Sequence, residues 1–261
     1  MLRLLRLFGA LFSMSLRRQL AFRADLVFEL LLTVVALVSS VAALGMVYSR
    51  TSTLGGWHAG QAVALLGTFQ IVSGLRAAFV EPNIQWLGEQ VRDGRFDPML
   101  VQPAPTIFLA SLSSCSPLAL AEVILGFGVV FVGVRQSAET PSVMAIVIWL
   151  VLLLAATAIM WASRVLVAAV VFWALALTLD VVYDSIWQFA RYPVDVYRRP
   201  LRLAMTYVLP IAVLSSIPAS TLVRNANALA IPVVGGIAVA ACVLAQQVWR
   251  LGLRRYTSAT S

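Results

Sequence analysis

The feature that most constrains this chain is a succession of long apolar stretches separated by short polar ones. A helix needs about 20 mostly apolar residues to cross the hydrocarbon core of a bilayer. Six stretches meet that length, at residues 26–48, 61–80, 106–134, 142–163, 165–187 and 228–249. The third is long enough to be tilted or kinked, and it contains Pro117. Hydropathy therefore predicts an all-α membrane protein with six transmembrane helices.

Composition agrees with a polytopic membrane protein. Hydrophobic residues make up 61% of the chain, charged residues 11%, and the mean hydropathy is +0.92. Soluble domains carry about 25% charged residues. The 19 basic residues are all arginines. They are scattered beside the apolar stretches and are not clustered with aromatic residues on a polar face, so they indicate membrane topology and exclude nucleic acid as the expected partner.

The sequence offers little for catalysis or cofactor binding. Cys115 and Cys242 lie within apolar stretches, where cysteine usually behaves as a small hydrophobic residue. His58 is the single histidine, and no CxxC pair is present, so no metal site is expected. Phosphate-binding and hydrolase motifs are also absent. We therefore expect no enzyme and no cofactor in this chain, and any pumping would require a partner that binds ATP and magnesium.

The amino-terminal residues 1–24 predict an interfacial amphipathic helix. Arg3, Arg6 and Arg17 share one face of a helix, and leucines together with Phe8 occupy much of the rest. Such a helix lies on an anionic membrane lipid surface and leads as an elbow into the first span. Residues 25–261 are then expected to form the six-span transmembrane domain.

A second irregular region, residues 188–227, precedes the last span. Residues 191–202 are basic and periodic, which predicts an amphipathic helix on the outer leaflet. Residues 203–223 are apolar but contain Pro210 and Pro218, which favours a re-entrant pair of short helices over a straight span. The arginine bias places both termini inside the cell, with Arg164 interpreted as an anchor between spans four and five.

The longest polar interruption, residues 81–105, lies between spans two and three and is called the 81–105 loop below. An amphipathic run, whose apolar residues are Ile84, Trp86, Leu87 and Val91, leads to a turn at Gly94. The segment 91–103 reads Val-Arg-Asp-Gly-Arg-Phe-Asp-Pro-Met-Leu-Val-Gln-Pro. Charges of both signs around a tight turn are typical of a rigid, solvent-exposed hairpin.

This segment resembles the cytosolic loop of ABC-2-type transporter permeases, in which the same pattern precedes the third span. A second match is the late segment with Tyr192-Pro193, Pro210 and Ile217-Pro218-Ala219. Together they resemble the branch related to daunorubicin and viologen exporter membrane subunits. The resemblance implies export from the cytoplasmic membrane of a bacterium, a separate ABC ATPase subunit and a second permease, identical or homologous.

The resemblance also implies that the 81–105 loop is a cytosolic coupling helix that the ATPase grips. Charged residues would contact the ATPase groove, Gly94 would permit the turn, and prolines would stiffen the exit. The expected coupling residues are Trp86, Glu89, Arg92, Gly94, Arg95, Asp97, Pro98, Leu100 and Pro103.

Glu122 and Arg76 are the candidates for a substrate path. Glu122 falls deep in the third predicted span, where a carboxylate costs roughly 2.5–3.5 kcal/mol and is a functional hypothesis by default. A structural, protonated or paired carboxyl is the alternative. Arg76 falls near the inner end of span two, where its stem can snorkel. Asp180 and Asp184 are placed near the outer end of span five, within reach of Arg191.

Three other functions stay open at this point. In an ABC importer permease, the ATPase-contact loop carries an EAA-x3-G pattern near the carboxyl terminus. Here Glu89 lacks the two alanines, Gly94 comes one residue too early, and the loop lies early in the chain. A membrane enzyme would require more polar groups than Glu122 alone, and a pore protein would leave the 81–105 loop unexplained. We therefore favour an exporter of an amphipathic or lipophilic, multidrug-type substrate.

Overall fold

The computed structural model describes residues 2–20, 23–137, 140–175, 177, 179–203, 205, 211–224 and 227–256. These residues form helices joined by turns, and no strand is formed among them, so the prediction of an all-α membrane protein is confirmed. The α-helices are α1 (Leu2–Leu20), α2 (Arg23–Tyr48), α3 (Ala59–Leu75), α4 (Glu81–Ile84), α5 (Leu87–Arg92), α6 (Asp97–Leu100), α7 (Thr106–Leu112), α8 (Leu120–Gln136), α9 (Val143–Ala169), α10 (Asp180–Gln188), α11 (Arg199–Leu203), α12 (Ile211–Leu214), α13 (Ser216–Val223) and α14 (Ala230–Arg255).

Five helical segments within the described residues are long and apolar enough to cross a membrane. They are Leu30–Tyr48, Ala59–Arg92, Pro117–Gln136, Val143–Phe172 and Ala230–Arg255. These segments overlap the first, second, third, fourth and sixth predicted spans. The predicted fifth span, residues 165–187, is not among them, so the count of six is not confirmed.

The difference arises at Arg164, which does not mark a turn between two spans. Helix α9 runs through this residue to Ala169 and continues as a 3-10 turn to Phe172. The Arg164 side chain is only 2% exposed and is paired with Glu81 and Asp180. Partners inside the protein compensate for the desolvation of the guanidinium, so the helix does not have to end there. The placement of Arg164 between two spans is therefore wrong.

The third predicted span is broken, as Pro117 suggested. Helix α7 ends at Leu112, and a 3-10 turn at Pro117–Ala119 leads into α8. Asn83 fills the gap, since its Nδ2 donates to the Ser114 carbonyl at 2.8 Å and its Oδ1 accepts from the Ser114 amide at 2.7 Å. The side-chain amide satisfies backbone groups that the broken helix leaves free.

Helices α3 and α8 form a closely packed antiparallel pair. Gly60, Gly67 and Gly74 recur at every seventh residue of α3 and face α8. A Cβ at Gly67 would lie 2.5 Å from the Val130 amide nitrogen, and a Cβ at Gly133 would overlap the backbone of Ala64. Small residues allow two membrane helices to approach at backbone distance. On the other side of the bundle, α9 packs against α14, α13 and α3.

The bundle has two ends with different contents. At one end, here called the loop end, the Phe8 ring of α1 lies 5.6 Å from that of Phe79, and Tyr256 beyond α14 bonds to Asp97 of the 81–105 loop. At the other, the far end, Trp57 bonds to Asp195. The amino-terminal helix, the 81–105 loop and the end of α14 therefore lie on the same side of the bundle.

The region before the last span is more broken than expected. Residues 191–202 do not form one amphipathic helix, because 3-10 turns at Phe189–Arg191 and Val194–Val196 precede α11 and Pro193 adopts an extended backbone between them. The short helices α12 and α13 follow, and most of their side chains are buried. The two short helices match the number expected, their re-entry into the membrane stays a prediction, and Pro210 lies outside the described residues.

Candidate functional site

The 81–105 loop begins as a continuation of α3. A single π-helical turn, Arg76–Val80, joins α3 to α4, and α5 follows after Trp86. Ile84, Leu87 and Val91 are buried, whereas Glu89 and Arg92 are exposed. Helix α5 therefore rests on the bundle with its apolar side and presents its charged side outward. Trp86 does not share the buried side, since its side chain is 51% exposed.

The turn that follows α5 requires glycine. Gly94 has a φ of +70°, a left-handed conformation that other residues adopt at a cost. The Phe96 amide donates to the Gln90 carbonyl at 3.0 Å and closes the turn. The geometry agrees with the expectation that a Cβ at position 94 is unfavourable.

Phe96, which the sequence reading did not select, anchors the loop. Its side chain is fully buried, with ring centroids 5.7 Å from Phe172, 6.4 Å from Trp249 and 5.4 Å from Tyr256. These four residues, here called the aromatic clamp, join the loop to the end of α9 and to α14. The sequence contained one signal for this role, because Phe96 lies between the charged residues Arg95 and Asp97. A large apolar ring in a charged, solvent-exposed turn is favourable only when it packs against other parts of the protein.

Asp97 also belongs to this anchor. Its Oδ1 accepts a hydrogen bond of 2.7 Å from the Tyr256 hydroxyl, and the residue is half-buried. The charges around the turn predict a solvent-exposed hairpin, and for Asp97 this prediction is wrong. Burial raises the pKa of Tyr256. The hydrogen bond to Asp97 and the negative charge of its carboxylate act in the same direction, and together they bring the pKa of Tyr256 to about 12.

The remaining coupling candidates form an exposed surface. Charges of both signs lie beside exposed apolar side chains, including Val101 at 85% exposure, and Asp93 and Arg95 form a solvent-exposed ion pair of 2.7 Å. Exposed aromatic and apolar groups mixed with arginine are typical of a protein–protein interface. The exposed candidates are Trp86, Glu89, Arg92, Arg95, Pro98, Leu100 and Pro103.

The structure does not bring Arg76 and Glu122 together as a lined path. Arg76 is mostly buried, bonding to Asp184 at 2.8 Å and lying over the Trp187 ring at 4.8 Å, so it does not snorkel to the surface. Glu122 lies in the first turn of α8, where Gln70 Nε2 approaches it at 3.4 Å. Their role in substrate passage stays a prediction.

Asp180 and Asp184 do not pair with Arg191. They pair with Arg164 and Arg76, respectively, on the loop side of the bundle. Arg191 instead lies 5.5 Å over the Phe69 ring. Helix α9 does not turn back at Arg164 but continues to the loop end. The two aspartates of α10 therefore lie near the loop end and not near the far end.

Comparison with protein families decides the identity of this helical bundle. The family model described as "ABC-2 family transporter protein" matches residues 34–260. The chain belongs to the ABC-2 transporter family. No curated protein and no solved structure matches it significantly. This ABC-2 protein is therefore a multi-pass integral membrane permease of an ABC transporter, and its family implies association with an ABC ATPase.

Proposed function

We propose that this ABC-2 permease is the membrane subunit of an ATP-driven exporter in the cytoplasmic membrane of a bacterium. The 81–105 loop, α1 and both termini face the cytosol. ATP and magnesium bind to the partner ATPase, since the chain carries no phosphate-binding motif of its own. The arginine bias toward the loop side supports this orientation.

The observation that carries the proposal is the contrast between the two sides of the 81–105 loop. The side that faces the bundle is fixed to α9 and α14 by the buried Phe96 ring, and the side that faces away from the bundle exposes Glu89 and Arg92. A motor can move a membrane bundle only through an element that is both exposed to the motor and rigidly attached to the bundle. The 81–105 loop has both properties.

An apolar cavity supports an amphipathic or lipophilic cargo. It has a volume of about 400 Å³, within the range of small-molecule sites, lies between α1, α3, α7 and α9, and is open on one side to the surroundings of the bundle. Its polar side chains are already bonded within the protein, Thr157 to the Leu153 carbonyl and Trp161 to Ser111. Such a cavity favours a hydrocarbon or aromatic group over water, as expected for multidrug efflux.

Export is favoured over import by the sequence of the loop. The residues around Glu89 and Gly94 lack the importer pattern, and residues 91–103 resemble the exporter pattern. A second permease, identical or homologous, is a further part of the proposal. Helix α2 offers a surface for it, because most of its side chains from Leu30 onward are exposed apolar groups.

Charge reversal on the exposed side of α5 tests the proposal. The double variant Glu89→Arg with Arg92→Glu should insert normally, since both side chains are exposed, and should lose co-purification of the ATPase and efflux of a panel of lipophilic dyes. Arg198→Glu, an exposed reversal at the far end, is the matched control and should retain both. Normal efflux by the double variant would place the motor elsewhere.

A further inference from the structure

A network of charged side chains joins the start of the 81–105 loop to two other helices. Glu81 opens α4, and its Oε1 lies 3.0 Å from Arg164 Nε and 3.3 Å from Arg76 Nε. Arg164 Nη2 lies 3.2 Å from Glu81 Oε2 and 2.6 Å from Asp180 Oδ1. One buried guanidinium of α9 therefore holds both α4 and α10.

This arrangement fixes orientation as well as distance. Nε and Nη2 of Arg164 bond to the two oxygens of Glu81, and such forked pairs restrict the relative angle of the two groups. The Tyr183 ring of α10 lies 5.4 Å from the Arg164 guanidinium, and its hydroxyl is 3.0 Å from the Ser163 hydroxyl. Helix α10 is thus attached to the same turn of α9 that Glu81 holds.

Direct packing between α5 and the start of α10 is incomplete. A cavity of about 160 Å³ separates them, and Gly88, Arg92, Leu179 and Asp180 contribute to its walls. The aromatic clamp reaches the end of α9 and α14 but contains no residue of α10. A displacement of the loop therefore reaches α10 more directly through the ion network than through side-chain packing.

We propose that Glu81 and Arg164 are positioning residues that transmit displacement of the 81–105 loop to α10. This inference rests on the proposed docking of the ATPase on that loop. When the motor moves α5, α4 carries the Glu81 carboxylate, Arg164 follows it, and Asp180 draws the first turn of α10 along. Removing the charge of Glu81 leaves the loop attached by the aromatic clamp. Helix α10 then stays bonded to Arg76 through Asp184, at a position that lies before the loop, and no longer follows the loop.

The test measures distances in the assembled complex with spin labels. After replacement of Cys115 and Cys242 by alanine, labels are placed at Ile124 of α8, Val101 of the loop and Val181 of α10, all highly exposed. The distances from 124 to 101 and from 124 to 181 are recorded in lipid nanodiscs, with and without magnesium and a non-hydrolysable ATP analogue. Helix displacements of about 2 Å are expected for such a switch.

The variants are Glu81→Gln and Arg164→Lys, and the matched control is Asp195→Asn. The control removes the charge of an exposed carboxylate that pairs with Arg202 at the far end, away from the proposed docking surface. Arg164→Lys keeps the charge but loses the fork, so it carries the test where Glu81→Gln does not fold.

In the unmodified complex and in Asp195→Asn, nucleotide should shift both distances. In Glu81→Gln or Arg164→Lys, the loop distance should still shift and the α10 distance should stay constant. An α10 shift equal to that of the unmodified complex would overturn the inference while leaving ATPase docking intact. If no ATPase associates, or the loop does not respond in the unmodified complex, the proposed function itself fails.

Discussion

Replacing Phe96 by alanine should release the 81–105 loop from the bundle. Phe96 is fully buried against Phe172, Trp249 and Tyr256. Removing a buried phenylalanine side chain costs about 3–5 kcal/mol. We take the lower value because the clamp lies at the end of the bundle, where the remaining rings can partly close the gap. About 3 kcal/mol corresponds to a roughly 150-fold rise in the open population of the loop.

Limited proteolysis measures this population. Trypsin cleaves after arginine, and the loop contains Arg92 at the end of α5 and Arg95 next to the Gly94 turn. These two structures must open before the chain fits into the active site of the protease. When opening is fast relative to cleavage, the cleavage rate follows the open population. Phe96→Ala should therefore be cut at these two arginines roughly 150-fold faster than the unmodified chain.

The control for this experiment is Leu100→Ala in the same loop. Leu100 is 42% exposed, so its truncation should change stability by no more than about 0.5 kcal/mol and the cleavage rate by less than about threefold. Equal cleavage rates in the two variants would refute the role of the aromatic clamp. Equally fast new cleavage at Arg50, at the far end, would show global unfolding and would also contradict a local anchor.

Two further predictions follow from other contacts. Gly133→Ala should lower thermal stability in detergent by about 1–3 kcal/mol because a Cβ there overlaps the backbone of Ala64, whereas Gly128→Ala, with open space around it, should be neutral or slightly stabilising. Equal effects would contradict the close α3–α8 packing. The pKa of Tyr256 is about 12 in the folded chain and 10 ordinarily. The protonated Tyr256 hydroxyl therefore contributes fully to the free energy of unfolding below about pH 10, and this contribution is lost as the pH rises toward 12. The stability difference between the unmodified chain and Tyr256→Phe should accordingly be largest below pH 10 and shrink above it, and a pH-independent difference in melting temperature would contradict this.

The parts of the fold that local patterns control could be read from the sequence. Apolar length located α2, α3, α9 and α14, Pro117 located the break before α8, and the Asp-Gly pair located a turn that has a φ of +70°. The glycines of α3 at intervals of seven were also visible in the sequence, and they carry the packing of α3 on α8. The spans, the break and the turn depend on residues near one another along the chain, and the glycine spacing depends on one helix alone.

The features that depend on distant partners could not be read in this way. A charged residue in an apolar run suggests the end of a span, and Arg164 was interpreted in this way. Its partner Glu81 lies 3.0 Å away in space but 83 residues earlier in the chain, so no local pattern indicates the pair. For the same reason Asp97 looked solvated, since its partner Tyr256 is 159 residues later. Tertiary pairing decides whether a charge ends a helix or is accommodated within it.

The central claim is that an ATP-hydrolysing partner docks on the exposed side of the 81–105 loop. A photo-crosslinking amino acid placed at Glu89, which is exposed on α5, tests it directly in native membranes, with the same amino acid at the exposed far-end residue Arg198 for comparison. Irradiation should join position 89 to an ABC ATPase identified by mass spectrometry, and position 198 should capture none. Capture of the ATPase from position 198 and not from position 89 would contradict the claim.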